Sequence, residues 1–179
     1  MPSPTSDVRI LALDLATVTG WAVGDLVPPA PTPLEGACGA GAPSQSSGSE
    51  RLGTKYNTVG EKVLAFGRWL DDMLAVHQPN AVIVEAALPH SASRNAESAA
   101  LATALFDTVK KTCDRRRLFW RTVHIGKLKK HATGTGHAKK PEMIKAARAR
   151  GWNPKDDNEA DALWLLDYAR ALMSAPKVA

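Results

Sequence analysis

The chain has 179 residues, of which 44% are hydrophobic, and this is enough to bury the core of one ordinary domain spanning 1–179. Its two cysteines lack CxxC or Cys/His spacing, no apolar stretch is long enough to span a membrane, and residues 1–7 lack a signal-peptide pattern, so we expect a cytoplasmic protein without disulfide or zinc. The net charge is +5, and the positive charge lies mainly in one segment, because residues 110–155 hold fifteen Lys and Arg against only Asp114 and Glu142.

The first half of the chain predicts a strand meander followed by a helix. Residues 8–14 form a short apolar pattern that ends in Asp14, and residues 21–24 are its expected hairpin partner. Residues 27–49, rich in Pro, Gly, Ser and Ala, predict a flexible insertion. We expect a third strand near 51–56 and a helix over 59–77.

The second half alternates strands and helices. Residues 81–84 predict a buried strand that ends at Glu85, and a basic loop is expected after the next strand. The remaining predicted elements are a helix over 95–114, a strand over 118–123 and helices over 141–150 and 157–173. Three antiparallel strands followed by parallel strands and helices predict a mixed α/β sheet flanked by helices.

The basic segment over residues 110–155 favours a nucleic-acid partner. Each Lys or Arg near a phosphate releases condensed counterions, so a basic segment on an otherwise acidic chain suits a polyphosphate. A short run such as Arg115-Arg116-Arg117 could instead be a solvated helical face. The segment as a whole favours nucleic acid.

Two carboxylates end strands, at the edge where open α/β sheets bind ligands, and two more lie on the last helix. Asp14 and Glu85 each end an apolar strand, and they converge if those strands are neighbours. Asp161 lies between alanines near the start of the last helix, and Asp157, four residues earlier, projects from the same face. Clustered carboxylates need a cation, and oxygen ligands suit Mg²⁺ or Mn²⁺.

Each acid also has a structural interpretation when it is taken singly. Asp14 could begin a turn, Glu85 could pair with a lysine, and Asp156 and Asp157 could cap the last helix. The functional interpretation is favoured because strand-end carboxylates, a helix-borne acid and a basic segment occur together in one short chain.

Five segments in order resemble the RuvC Holliday-junction resolvases. They are Asp14-Leu-Ala-Thr-Val-Thr-Gly-Trp21, Glu85, and residues 95–99, 129–140 and 158–163. The most specific is Gly-x-Gly-x-Ala-x-Lys, which begins at Gly134. The resemblance implies a ribonuclease-H-like fold and a homodimer, in a bacterial or phage-infected cell, that cuts four-way DNA junctions by paired nicks leaving 5′-phosphate and 3′-hydroxyl ends.

The same resemblance implies roles for individual residues. Asp14, Glu85 and Asp161 match three of four metal-binding acids, which would hold two Mg²⁺ or Mn²⁺ ions. Lys129 and Lys140 match two active-site lysines, and Lys140 is the candidate for stabilising the scissile phosphate. The residues expected to contact DNA are Arg94, Asn95, Ser98, Lys129, Lys130, Gly134, Gly136 and Lys139.

Three positions depart from the family pattern. Leu15-Ala16 replaces the usual Pro-Gly after the first strand, and Leu88 stands where bacterial enzymes carry an aromatic that helps to open the junction. Asn158 occupies the position of the fourth acid. We assign that role to Asp157, because a shift of one helical position rotates a side chain by about 100° and still leaves it beside Asp161.

Other functions remain open at this stage. The same chemistry could act on flaps, other branched DNA or RNA–DNA hybrids, and Asn158 could mark a junction-binding protein that has lost cleavage. The spacing from Asp14 to Gly20 also resembles the phosphate loop of sugar-kinase-like ATPases, which need two such domains and a longer chain. For a dimer, we expect contact through the apolar side of the 95–114 helix, which carries Ala99, Ala102, Leu105 and Phe106.

Overall fold

The structure is a computed structural model that describes residues 8–26, 45–86 and 96–174. Its strands are β1 (Arg9–Asp14), β2 (Val18–Asp25), β3 (Gln45–Arg51), β4 (Ala81–Glu85) and β5 (Phe119–Val123). They form one sheet in the order β3-β2-β1-β4-β5. The pairs β3–β2 and β2–β1 are antiparallel, whereas β1–β4 and β4–β5 are parallel, which confirms the predicted mixed sheet.

Helices cover both faces of this sheet. They are α1 (Val59–His77), α2 (Ala96–Arg116), α3 (Ile125–Thr133), α4 (Lys140–Ala149) and α5 (Asp157–Ser174). Side chains along a strand alternate between faces, so each central strand supplies two separate cores. Leu11 and Leu13 of β1 pack with α1 and α2, while Ile10 and Ala12 pack with α3, α4 and α5.

The third strand lies earlier in the chain than the sequence predicted. Residues 45–51 form β3, and the predicted strand near 51–56 is wrong beyond Arg51. Residues 45–49 were expected to belong to a flexible insertion, because Ser and Gly resemble a linker. Pairing with the whole length of β2 supplies the backbone hydrogen bonds that make them a strand. The remainder of that predicted insertion, 27–44, lies outside the described residues.

The predicted basic loop after β5 contains a helix. His124 caps the start of α3 by accepting a hydrogen bond from the backbone N–H of Gly126, and Gly134 ends the helix in a left-handed conformation with φ of 81°. Leu128 is fully buried under the α3–α5 layer. The helix is only nine residues long, buries one leucine and is otherwise polar and basic, so the sequence pattern was interpreted as a loop.

Within the described ranges, no helix is both long and apolar enough to cross a membrane.

Candidate active site

Asp14 and Glu85 lie side by side at one edge of the sheet. The parallel register pairs Leu13 of β1 with Val84 of β4, and each acid is the next residue on its strand. Parallel neighbours end at the same edge, where open α/β sheets bind ligands. The condition that the sequence left open, that the two strands are neighbours, is therefore met.

The start of α5 lies against β2 beside Asp14. Gly20 is the register partner of Asp14, and a Cβ atom added at Gly20 would collide with the carbonyl oxygen of Asn158. Only a residue without a side chain allows the two backbones to come this close. The glycine of the Asp14-x₅-Gly20 pattern thus positions the first turn of α5, with Asp157 and Asp161, over the strand-end carboxylate.

Three consecutive residues at the start of α5 have different environments. Asp156 caps the helix, because its Oδ1 accepts a hydrogen bond of 2.8 Å from the backbone N–H of Glu159. Asp157 instead accepts a hydrogen bond from the ammonium of Lys140. The backbone of Asn158 is the part of α5 that touches Gly20. The structural role considered for Asp157, helix capping, is performed by its neighbour.

Two serines of β3 hold the same helix start in place. Ser49 donates a hydrogen bond of 2.6 Å to Asp156, and Ser47 donates one of 2.7 Å to Glu159, which is buried. Glu159 also accepts from the backbone N–H of Lys155 at 2.8 Å. Neither β3 nor Glu159 was expected to take part in the site. The spacing of Asp156 and Glu159, an acid followed three residues later by Glu, resembles a capping box and was the available signal.

The electrostatics of the site favour protonation of the acids unless a cation is present. Burial, followed by the charges of Asp161 and Asp157, raises the pKa of Asp14 to about 7. Burial, followed by the charges of Asp14 and Asp161, raises the pKa of Glu85 to about 9. Burial and the charge of Asp157 raise the pKa of Asp161 to about 6. These carboxylates come from β1, β4 and α5, and the charge of at least one other acid raises the pKa of each, as expected of acids that lie near one another and repel.

Lys129 and Lys140 oppose this repulsion. Lys129 lowers the pKa of Glu85 and of Asp161, and Lys140 lowers the pKa of Asp14 and of Asp161. The hydrogen bond to Asp157 raises the pKa of Lys140, so its ammonium stays charged. The α3 and α4 helices therefore deliver two cations to the carboxylate cluster from a segment that was expected to be a loop.

The glycines of the Gly-x-Gly pattern have structural roles in the turn between α3 and α4. Gly134 is the left-handed C-cap of α3, and its N–H donates to the carbonyl of Lys130 at 2.9 Å. A Cβ at Gly136 would lie 3.3 Å from the carbonyl oxygen of Gly126, which is a tight contact. Lys130 and Lys139 are exposed on either side of this turn.

The other predicted DNA contacts are at the start of α2. Ser98 is exposed on its first turn. Arg94, Asn95 and Leu88 lie outside the described residues. Of the four residues of α2 that were expected to form a dimer contact, Ala99 and Leu105 are buried, at 7% and 0% exposed, and Leu105 packs in the core with α1 and the sheet, whereas Ala102 and Phe106 are partly exposed. Hydrophobic burial within one chain competes for the same side chains.

The carboxylates have the donor chemistry of a site for Mg²⁺ or Mn²⁺. All are oxygen ligands, and the Oδ1 atom of Asp161 is buried and finds no hydrogen-bond partner among the residues that the structure describes. Among residues 8–26, 45–86 and 96–174, no three His, Cys, Asp or Glu side chains already close around a single metal position. An orphaned carboxylate oxygen and raised pKa values are the features that a cation would relieve, so the residues fit the ion.

Comparisons with protein-family models and with curated proteins gave no match. Solved structures do match. RuvC of Thermus thermophilus is 20% identical with a TM-score of 0.66, covering 93% of this chain and 96% of that one. T. thermophilus RuvC in complex with a Holliday junction substrate is 20% identical to this chain with a TM-score of 0.67, and the match covers 92% of this chain and 96% of that one. The yeast mitochondrial Holliday junction resolvase Ydc2 is 9% identical with a TM-score of 0.62, and the match covers 97% of this chain and 83% of that one. At these identities the likeness establishes architecture, and the chain therefore has the ribonuclease-H-like fold of the RuvC-type resolvases.

Proposed function

We propose that the protein is a metal-dependent DNA endonuclease that resolves four-way junctions by paired nicks leaving 5′-phosphate and 3′-hydroxyl ends. The observation that carries this proposal is the half-buried carboxylate cluster of Asp14, Glu85 and Asp161 with Lys129 and Lys140 beside it. Such a cluster repels a phosphodiester by itself, so its combination with cations suits metal-assisted hydrolysis of a phosphate ester. The shared fold supports the same substrate class.

The metal would be held by Asp14, Glu85, Asp157 and Asp161, in the form of two Mg²⁺ or Mn²⁺ ions. When bound, such ions lower the pKa of an attacking water and neutralise the leaving 3′ oxygen. Glu85 and Asp14 come from rigid, buried strands, and Asp157 and Asp161 from a helix fixed by Gly20. Ligands on such elements keep their positions better than ligands on loops.

Lys140 is the residue we assign to the scissile phosphate. Its side chain is 74% exposed, and its ammonium is held at the cluster by Asp157. A fixed cation near the phosphate stabilises negative charge that develops in the transition state. Lys129 is half-buried and lowers the pKa of Glu85 and of Asp161, which favours the ionised form that holds an ion.

The DNA surface would extend from the cluster over α3, α4 and the turn between them. Lys130 and Lys139 are exposed there, and no atom of the described residues lies within 4 Å of the position where a Cβ of Gly134 would stand. A cavity of about 440 Å³ next to Asp157 is lined on the α4 side by Lys140, Lys145 and Arg148. Ser98 would approach the DNA from the first turn of α2, and Arg94 and Asn95, outside the described residues, are further DNA contacts that we propose from the sequence.

The alternative functions differ in how well the geometry supports them. A flap or RNA–DNA hybrid nuclease would use the same carboxylate cluster, so only a comparison of substrates distinguishes it from a junction resolvase. A junction-binding protein without cleavage is less well supported, because Asp157 offers the charge that Asn158 lacks. An ATPase is disfavoured, because α5 covers Gly20 so closely that a phosphate has no room at its backbone.

The test is cleavage of a labelled four-way junction with Mg²⁺, compared with duplex, flap and hybrid substrates of the same sequence. We expect paired cuts in the junction, and we expect Asp14→Asn and Glu85→Gln to abolish them while junction binding, measured in Ca²⁺, stays intact or tightens. Asp107→Asn, an exposed acid on α2, is the matched control and should cut normally. Substantial Mg²⁺-dependent cutting by either active-site variant would contradict the assignment.

A further inference from the structure

A second pocket opens at the same edge of the sheet, on the α1–α2 side. Arg51 at the end of β3 pairs with Val18 at the start of β2, and the turn before Val18 comes directly from Asp14. The pocket is a cavity of about 350 Å³ between this turn, α1 and the first turns of α2. Its polar lining includes Thr17, Arg51, Thr54, Lys55, Lys62 and Ser98.

Lys62 is the unusual residue of this pocket. It is 5% exposed and occupies the position of α1 one turn before Phe66 and two turns before Leu70, both fully buried. Apolar residues are expected on that face of an amphipathic helix, and lysine is rarely buried without a reason. Its ion pair with Glu97 is long, at 3.6 Å, and the Glu97 side chain is 61% exposed. A buried ammonium with three donors suits a stronger anionic partner.

The rest of the pocket has the chemistry of a phosphate site. Arg51 and Lys55 add two cations to Lys62, against the single carboxylate of Glu97. The hydroxyls of Thr17 and Ser98 add neutral donors, whereas that of Thr54 already donates to Asn57 at 3.1 Å.

The walls of the pocket are fixed by backbone and side-chain hydrogen bonds. The N–H of Leu52 donates to the carbonyl of Thr17 at 3.0 Å. The N–H of Thr54 donates to Asn57 at 2.9 Å. A rigid, basic, hydroxyl-lined cavity binds phosphate oxygens without regard to base sequence.

The pocket is close to the carboxylate cluster. Thr17 is three residues after Asp14, and an extended chain spans at most about 3.6 Å per residue, so the two Cα atoms are within roughly 11 Å. One DNA strand can therefore reach both places at once.

We propose that this pocket binds a backbone phosphate of the cleaved strand, a few nucleotides from the scissile phosphate. The proposal rests on the proposed nuclease function for its choice of DNA as the ligand. Lys62 and Arg51 grip the phosphate, and the hydroxyls orient it. The strand is thereby held at two points, at the carboxylate cluster and in the pocket, so its direction across the active site is set.

The first experiment measures binding rather than cutting. Affinity for a labelled four-way junction is measured by fluorescence anisotropy in Ca²⁺ for the full chain and for Lys62→Met, Arg51→Ala and Arg68→Ala. Lys62→Met keeps the length of the buried side chain and removes its charge, and Arg68, exposed on α1, is the control. We expect about a tenfold loss and a salt slope lower by about one for each pocket variant, with Arg68→Ala unchanged.

A second experiment locates the phosphate. Neutral methylphosphonates are placed singly along the strand on either side of the cut. One position within a few nucleotides of the cut should weaken binding by the wild-type chain but have no effect on Lys62→Met, because the charge pair is already lost. If wild type and Lys62→Met respond alike at every position, the pocket does not bind a backbone phosphate. If inorganic phosphate competes with binding of every substituted strand equally, whatever the position of the methylphosphonate, the pocket binds a free anion and the proposal of a backbone phosphate is overturned.

The outcome can be separated from that of the nuclease proposal. If the wild-type chain cuts no junction with Mg²⁺ but the pocket variants bind more weakly, the pocket is supported and the nuclease assignment falls. If cutting is normal and the salt slope of the variants is unchanged, the pocket proposal falls alone. Should Lys62→Met fail to fold by circular dichroism, the double variant Arg51→Ala/Lys55→Ala, at exposed positions, gives the same decision.

Discussion

The half-buried carboxylates Asp14 and Glu85 make stability depend on pH. Their pKa values, about 7 and about 9, lie above the ordinary values of 3.8 and 4.5 that the unfolded chain restores. Between those limits the folded chain holds protons that unfolding releases, so stability falls as pH rises from about 4 to about 9 and is level above that. The folded site is therefore least stable, without metal, at the pH where its acids are ionised.

We predict that Glu85→Gln stabilises the metal-free protein at pH 8. Removing an ionisable group with a raised pKa should add roughly 1–3 kcal/mol to the free energy of unfolding, which corresponds to about one to two pKa units. Thermal unfolding in EDTA at pH 6 and pH 8 measures this, with Asp107→Asn as the control. An equal melting temperature for Glu85→Gln and wild type at pH 8 would show that Glu85 carries no such penalty.

Two adjacent residues, Asp157 and Asn158, are the candidates for the fourth metal ligand. Asp157 is hydrogen-bonded to Lys140 and raises the pKa of Asp14 and Asp161, whereas Asn158 meets Gly20 through its backbone. We predict that Asp157→Asn lowers junction cleavage by roughly 100-fold or more and that Asn158→Ala leaves it near normal. Single-turnover cleavage of both variants is the measurement. Near-normal cleavage by Asp157→Asn together with loss of cleavage by Asn158→Ala would make the side-chain amide of Asn158 the ligand.

At the scale of the elements, the site depends on how closely α5 approaches β2. The atom that a Cβ at Gly20 would meet is the backbone carbonyl of Asn158, which cannot move aside as a flexible side chain can. A methyl group there must therefore displace the first turn of α5, and Asp157 and Asp161 move with it. The sheet and the helix together, rather than either alone, determine the distance between the carboxylates.

We predict that Gly20→Ala costs about 1–3 kcal/mol of stability and lowers cleavage further than that loss alone explains. Gly60→Ala is the matched control, because the added Cβ has only the hydroxyl of Thr58 at 3.9 Å and alanine favours helix. Denaturant unfolding and cleavage rates at a temperature where both variants are folded separate the two effects. Normal cleavage by folded Gly20→Ala would mean that the helix start tolerates displacement.

At the scale of the whole molecule, paired nicks require two active sites. We therefore predict a homodimer with a twofold axis, in which Ala102 and Phe106 are the residues of the expected α2 contact that stay accessible to the partner, since Ala99 and Leu105 are buried. Light scattering at micromolar concentration, with and without junction DNA, measures the state. A monomer under both conditions would contradict the dimer, and single uncoupled nicks should then replace paired ones.

The sequence by itself determined much of the framework. β1, α1 and β4 were predicted from apolar patterns, because strand and helix periodicities involve residues only two to four apart. Asp14 and Glu85 were recognised as strand ends by the same local reasoning. Sequence similarity then indicated the ribonuclease-H-like fold, which the structure confirms.

Only the tertiary structure decided how these parts meet. The parallel pairing of Leu13 with Val84, the contact of Gly20 with Asn158 and the hydrogen bond from Ser47 to Glu159 join residues far apart in the chain. Serine-rich β3 becomes a strand because β2 lies beside it, and the burial of Lys62 depends on packing between helices. Such contacts leave no local periodicity, since they are selected by packing of whole elements, and packing is therefore what turned separate acids into one candidate site.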